Sequence, residues 1–353
     1  MSKKFISKEN MKHTGANWNN KEDMFTQVYY EQNLSQFWRP EDISMQGDLG
    51  TWGTLDPKIQ LAYAENLAFL TFLDTKQGDN GVNIISRAID QDQHQRKAVL
   101  NFMAAMENAV HAKSYSNIFM TLMSTPEIDK LFVWTENNVH AQRLLTLISD
   151  VYDDLDKLIP LRDFPQTFGE VDPLEFNIAR WKGMVASVFL ESWLFYSGFY
   201  YPLWFYGQGE LMQAGEIINL ILRDESVHGL YIGQLAQELF EEFEPSLQEE
   251  LVAWKDTYLE EIYASHVHLI EEIYDKTGLT ADVKVFVRYN ANKALMNLGF
   301  EAHFPNEEVN PVVLNGLNTE TKTMDNFSMK GNGYQKMISE AISDDDFDFD
   351  FDF

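Results

Sequence analysis

Six side chains of metal-ligating type sit inside strongly apolar stretches of this sequence. Asp74 ends the run Ala68-Phe69-Leu70-Thr71-Phe72-Leu73, and Glu191 follows Val188-Phe189-Leu190. Glu107 is followed by His111 at i+4, and Glu225 by His228 at i+3. On a helix both spacings put acid and imidazole on one face. A buried carboxylate without a partner costs several kcal/mol even after relaxation. Four such carboxylates and two imidazoles therefore ask for a shared counter-charge, and a pair of divalent metal ions is the simplest one. Carboxylate oxygen with imidazole nitrogen suits two manganese or two iron ions; the lack of sulfur ligands disfavours structural zinc.

A tyrosine stands beside this set. Tyr115 follows His111 by four residues, one turn along the same face. Phe195 and Phe199 follow Glu191 by four and eight, and Ile221 precedes Glu225 by four. The same helical arithmetic would enclose Tyr115 in a dry pocket of these three side chains. Taken alone, it reads first as a core tyrosine hydrogen-bonded to a carboxylate. A dry pocket beside a redox-active metal pair is also where an oxidised tyrosine would escape quenching.

The elements that must carry these groups are helices. Apolar residues recur at helical spacing, and Gly and Pro are sparse at 19 and 10 in 353 residues, which argues for an all-α chain. The helices are expected over about 57–77, ended by Gly78-Asp79-Asn80-Gly81, then 92–123, 127–158, 173–206, 210–243, 246–277 and 280–301. Four of them carry the six ligands, the inventory of a ferritin-like bundle with a dimetal-carboxylate site. Residues 1–20 read as a polar N-terminal arm, poorly ordered. Residues 21–304 read as the helical domain and 305–353 as a flexible acidic-aromatic tail. That tail ends in alternating Asp and Phe, with Phe347, Phe349, Phe351 and Phe353 on one side of an extended strand.

Composition narrows the function. Net charge −28 argues against direct nucleic-acid binding. The absence of cysteine excludes disulfides, thiolate metal sites and thiol catalysis on this chain. The first residues contain no apolar signal segment, and a cytoplasmic location is expected. The stretch from Met184 to Gly207 is long enough to span a membrane, but Glu191 needs a partner there, so a helix buried on all sides of a bundle is expected instead. His94, His140, His266 and His268 lie in more polar helical surroundings and read as surface histidines. His13 and His303 fall in polar ends or loops.

Several segments together carry a family resemblance. They are Phe37-Trp38-Arg39-Pro40-Glu41, Leu73-Asp74-Thr75, Glu107 to Tyr115, Phe189 to Phe199, Arg223 to Gly229 and Arg288 to Leu295. In this order they resemble the radical-generating small (β) subunit of class I ribonucleotide reductase. The wording is most similar to class Ib, the subgroup usually matured with manganese and a small flavodoxin-like activating protein. The resemblance implies Asp74, Glu107 and His111 as ligands of one metal, and Glu191, Glu225 and His228 of the other. It implies Tyr115 as the stored radical. Trp38 and Asp224 would link His111 to the surface, and Tyr334 would hand the oxidising equivalent to the partner. It further implies a homodimer and an α subunit that reduces ribonucleotides and binds the tail. Many members of the family place the first acid and histidine at i, i+3; here position 108 is Asn and the acid is Glu107. The alternatives from other classes are a stand-alone ferritin-like oxidase or oxygenase, with no use for Trp38, Tyr334 or the tail, and a metal-storage protein.

Overall fold

In the computed structural model the described residues are Lys8 and 11–317. Their regular structure is entirely helical, with no strand among them. Helix α1 covers Met24–Ser35 and α2 Pro57–Lys76. Asp56 accepts the Lys58 N–H and Pro57 occupies the first turn of α2, so the start of this helix is written locally. Next come α3, Val82–Ala88; α4, His94–Met106; and α5, Ala112–Leu122. Helix α6 covers Thr125–Asn137 and opens with a reciprocal cap between Ser124 and Glu127. Helix α7 is Val139–Asp163, α8 Pro173–Phe189, α9 Phe195–Tyr206 and α10 Met212–Glu241. The series closes with α11, Pro245–Tyr274; α12, Thr280–Asn297; and α13, Pro311–Leu317.

Helix α9 runs through the middle, packed on α2, α10, α12 and α13. Helix α8 packs on α7 and α10, and α2 packs on α5. This central position explains the long apolar run. Every residue from Val185 to Leu203 is buried, including Glu191. A helix apolar on all sides needs neighbours on all sides, and here the neighbours are other helices. Among the described residues no helix is long and apolar enough to cross a membrane. Gly198 lets α2 approach α9: a Cβ there would fall 2.5 Å from Leu70 Cγ.

The helix boundaries differ from the sequence expectation in four places. Gly78 to Gly81 do not end a helix. They form a π turn, Gln77–Gly81, that carries α2 directly into α3. Gly78 is there for close approach, since a Cβ would lie 2.7 Å from Asn108 Nδ2 and 2.9 Å from the Ala104 carbonyl. The helices expected over 92–123 and 173–206 are each interrupted by a π turn, at Glu107–His111 and Leu190–Leu194. The helix expected over 127–158 is two, because the Asn138 side chain accepts the N–H groups of His140 and Ala141 and caps a new start.

Both ends of the helical body extend further than expected. Gln95 Nε2 donates to the carbonyls of Asn17 and Asn20, and Thr14 Oγ1 meets His94 Nε2 at 2.8 Å, so part of the polar arm is tied down. The expected boundary at 305 also moves, because the compact unit continues to Leu317, and Val313 of α13 is fully buried. The remainder of the tail, with Tyr334 and the terminal Asp–Phe alternation, lies outside the described residues.

Helix α10, which carries Asp224, Glu225 and His228, begins after Leu211, a residue with left-handed φ of 46° and no side-chain cap. Asp48 supplies the cap from elsewhere in the chain. Its buried carboxylate accepts the N–H of Ala214 at 2.8 Å and of Gln213 at 3.2 Å. Asp48→Ala is expected to cost about 1–2 kcal/mol of stability, the upper range for losing a helix cap, with Asp48→Asn retaining most of it. Urea unfolding midpoints measure both.

Candidate metal centre

The site is assembled from regular and distorted helix together. Asp74 stands near the end of α2 and Glu225 and His228 lie in the middle of α10, all in regular helix. Glu107, His111 and Glu191 are in π turns. A π turn closes i→i+5 hydrogen bonds and takes more residues per turn than the 3.6 of an α-helix. That brings Glu107 and His111, at i and i+4, onto one side, as i and i+3 are brought together at Glu225 and His228. Asn108 points away and donates to Asp79 Oδ1 at 2.7 Å.

All six side chains expected as ligands converge, and each is at most 1% exposed. His111 Nδ1 lies 2.9 Å from Glu225 Oε1, 3.2 Å from Glu107 Oε2 and 3.4 Å from Asp74 Oδ1. His228 Nδ1 lies 2.9 Å from Glu107 Oε1, 3.3 Å from Glu225 Oε2 and 3.8 Å from Glu191 Oε2. Two overlapping groups result: Asp74, Glu107, His111 and Glu225, and Glu107, Glu191, Glu225 and His228. In each group the potential ligand atoms lie within 4.8 Å of one another. Glu107 and Glu225 belong to both, so the geometry makes them bridging candidates.

The donor set fits a pair of divalent ions. Both oxygens of Asp74 and of Glu225, Oε1 of Glu107, Oε2 of Glu191 and Nδ1 of His228 are buried without a hydrogen bond. Buried polar atoms are normally satisfied, and here the unsatisfied ones face each other. Without metal, protons supply the counter-charge. Burial pushes Asp74 and Glu191 well above the usual carboxylate range, and neighbouring carboxylates add to the effect. At Glu225 burial also acts upward, but the facing imidazoles, His111 first and then His228, hold the acid well below that range. Burial opposes charge on His111 and His228, yet the carboxylates facing them raise both well above an ordinary imidazole. Metal ions compete for the same atoms, so loading releases protons.

One line of hydrogen bonds leads outward. Trp38 Nε1 donates to Asp224 Oδ2 at 2.7 Å, and the same oxygen lies 3.2 Å from His111 Nε2. The Trp38 and His111 rings are stacked, 6.5 Å between centroids. Asp224 is fully buried, and its other oxygen accepts from Gln36 Nε2 at 2.8 Å. Tyr115 is fully buried and its hydroxyl has no hydrogen-bond partner. Burial first, and then the charges of Asp74, Glu225 and Glu107, push its pKa well above that of a free phenol. Phe195, Phe199 and Ile221 are fully buried too, with the two Phe rings 5.8 Å apart.

His266 corrects a sequence expectation. It is fully buried, not on the surface, and its Nε2 lies 2.7 Å from Ser197 Oγ. Burial lowers its pKa to about 3, so it is neutral, and it takes no part in the ligand cluster. Two glutamines whose residue type carries no signal in the sequence also hold the site. Gln36 holds Asp224, and Gln77 Nε2 donates to Glu191 Oε1 at 2.6 Å. Gln77 lies three residues after Asp74, a spacing that marks the same helix face.

Glu107→Ala removes a carboxylate common to both groups and is expected to lower metal content substantially. Asn108→Ala is expected to leave it unchanged. Metal analysis of the two purified variants decides between positions 107 and 108, and the opposite result would place the ligand at 108.

Known proteins are similar to this chain in sequence and in fold. A family model described as "Ribonucleotide reductase, small chain" matches residues 15–311. The ribonucleoside-diphosphate reductase subunit beta of Bacillus phage SPbeta is 54% identical over 332 residues, covering 94% of this chain and 95% of that protein. The corresponding subunit of Bacillus subtilis (strain 168) is 53% identical with the same coverage. Among solved structures, the dimanganese(II)-NrdF of Streptococcus sanguinis superposes with a TM-score of 0.77 at 38% identity, covering 87% of this chain and 100% of that one. The chain therefore belongs to the ribonucleotide reductase small-chain family.

Proposed function

We propose that this chain is the radical-generating β subunit of ribonucleoside-diphosphate reductase, with two manganese or two iron ions in the buried cluster and the oxidising equivalent stored on Tyr115. The observation that carries the reading is the pair of overlapping ligand groups sharing Glu107 and Glu225, with Trp38 and Asp224 hydrogen-bonded outward from His111. Asp74, Glu107 and His111 would hold one ion and Glu191, Glu225 and His228 the other. The dimanganese form of the Streptococcus sanguinis relative supports manganese as one choice.

When bound, the ion pair supplies the oxidising power for a one-electron oxidation of Tyr115, drawn from an oxygen-derived oxidant. Tyr115 gives up one electron and its hydroxyl proton. Asp74, whose oxygens have no hydrogen bond, is available to take that proton. The phenol stays protonated until then, because its surroundings oppose a phenolate. Phe195, Phe199 and Ile221 are proposed to keep water and reductants from the ring.

Transfer outward would follow His111, Asp224 and Trp38. Asp224 is a fixed acceptor for both ring N–H groups, which holds the two rings in one geometry. Tyr334, outside the described residues, would be the next station toward an α subunit. The absence of cysteine leaves the ribonucleotide-reducing thiols to that partner. The chain is proposed to act as a homodimer in the cytoplasm, to be activated with a flavodoxin-like protein, and to bind its α subunit through the terminal aromatic residues.

Tyr115→Phe is expected to retain both metals and to lose the tyrosyl electron paramagnetic resonance signal and nearly all turnover with the α subunit. An undiminished signal would move the radical elsewhere.

Deletion of residues 340–353 is expected to abolish α binding and turnover while leaving metal content and the Tyr115 signal intact. Full turnover by the truncated protein at ordinary partner concentration would exclude the tail as the docking element.

A further inference from the structure

We infer that Gln77 is a positioning residue for the ion held by Glu191 and His228. It ties down one oxygen of Glu191 and leaves that carboxylate a single free oxygen for coordination. The inference rests on the metal-binding reading above and adds a residue outside the ligand set.

Every polar atom of the Gln77 side chain is used. Nε2 donates to Glu191 Oε1 at 2.6 Å and to Ser187 Oγ at 2.7 Å. Oε1 accepts from the Tyr152 hydroxyl at 2.7 Å. Gln77, Tyr152, Ser187 and Glu191 are all fully buried. The direction of the amide follows from chemistry. With ions bound, Glu191 is an ionised carboxylate and only accepts, so the nitrogen must face it; the oxygen then faces Tyr152, which must donate. The chain clears room for this arrangement. Gly81 closes the π turn that Gln77 opens, and a Cβ there would overlap both the Gln77 amide oxygen and the Tyr152 ring.

The four ligand carboxylates are thereby made unequal. Asp74, Glu107 and Glu225 face only the two imidazoles of the cluster, themselves candidate ligands. Glu191 has one oxygen held by a residue outside the cluster, while Oε2 remains unpartnered and lies 3.8 Å from His228 Nδ1. An amide donor on a ligand carboxylate fixes its orientation and limits how it can rearrange. Groups that orient a metal ligand in this way are typically worth about 10–100-fold in metal affinity.

The test uses the full chain, stripped of metal and titrated with manganese(II) alone, with binding followed by calorimetry and the ions by electron paramagnetic resonance. The parent is expected to take two ions and give the spectrum of a coupled pair. Gln77→Met keeps the length and loses the hydrogen bonds. It is expected to bind the first ion as the parent does and the second about 10-fold or more weakly, so that the signal of an isolated ion persists at two equivalents. Tyr152→Phe removes only the bond that orients the amide, and is expected to show a smaller shift of the same kind; it decides the matter should Gln77→Met fail to fold. If the folded variants bind both ions as the parent does, Gln77 does not position the second ion. A parent that takes no ion pair overturns the metal-binding reading itself, and this inference with it.

Discussion

The structure depends on one electrostatic problem: four carboxylates and two imidazoles held in a bundle core away from water. Coulomb repulsion among the acids and the loss of hydration both oppose this arrangement. The folded chain answers in two ways. Protons can be retained on Asp74, Glu191 and the two imidazoles, as their raised pKa values indicate. Alternatively, two divalent cations balance four carboxylates and leave the imidazoles neutral. The bundle around the cluster must be strong enough to hold it closed in either state. The apolar stretch over 183–203, buried throughout, supplies that strength, at roughly 1.5–3 kcal/mol per large side chain buried.

Ligand spacing and helix distortion go together. Three π turns lie around the centre, and between them they contain Glu107, His111, Glu191 and the glutamine that holds Glu191. The departure at Glu107, an i, i+4 pair, is compensated by the turn that contains it. Gly78 and Asn108 then fit the two neighbouring turns against each other. The carboxylates are not all left free to move: Asp224 is held by Trp38 and Gln36, and Glu191 by Gln77, whereas Asp74 and Glu225 face only the imidazoles of the cluster.

Much of this was legible in the sequence for a stated reason. A charged residue in an apolar run is conspicuous, and helical spacing then says which such residues share a face. The six side chains that converge and the all-α class could be read in that way. The π turns could not, because Gly78 and Gly81 carry the same local signal as a helix stop; only the approach of Asn108 and Tyr152 explains them. Gln77 was missed because glutamine is an ordinary helix former and draws no attention until its partners are known. His266 reads as a surface residue from the polar residues near it in sequence, yet it is buried. Its own face, with Ile262, Leu269 and Ile270 at helical spacing, is apolar and buried, whereas His268 shares a face with Glu271 and Glu272. Face periodicity, not local composition, separates the two histidines.

The same burial that creates the electrostatic problem also shapes the route out of the site. A phenol in a dry core can be oxidised and kept, but a dry core also isolates it from any partner. Of Trp38, Asp224 and His111, Trp38 is the least buried at 8% exposure, and Asp224 behind it is at 0%. The line Trp38–Asp224–His111 therefore crosses from near the surface to the cluster through hydrogen bonds and stacked rings alone. An electron can follow such a line, whereas water would need a channel. Because Asp224 directly precedes Glu225 on α10, the residue that fixes the exit and one that joins both ligand groups are set by the same turn of helix. Movement of that turn would alter the cluster and the Trp38–Asp224–His111 line together, and under the proposed function this would couple formation of the oxidised tyrosine to its use.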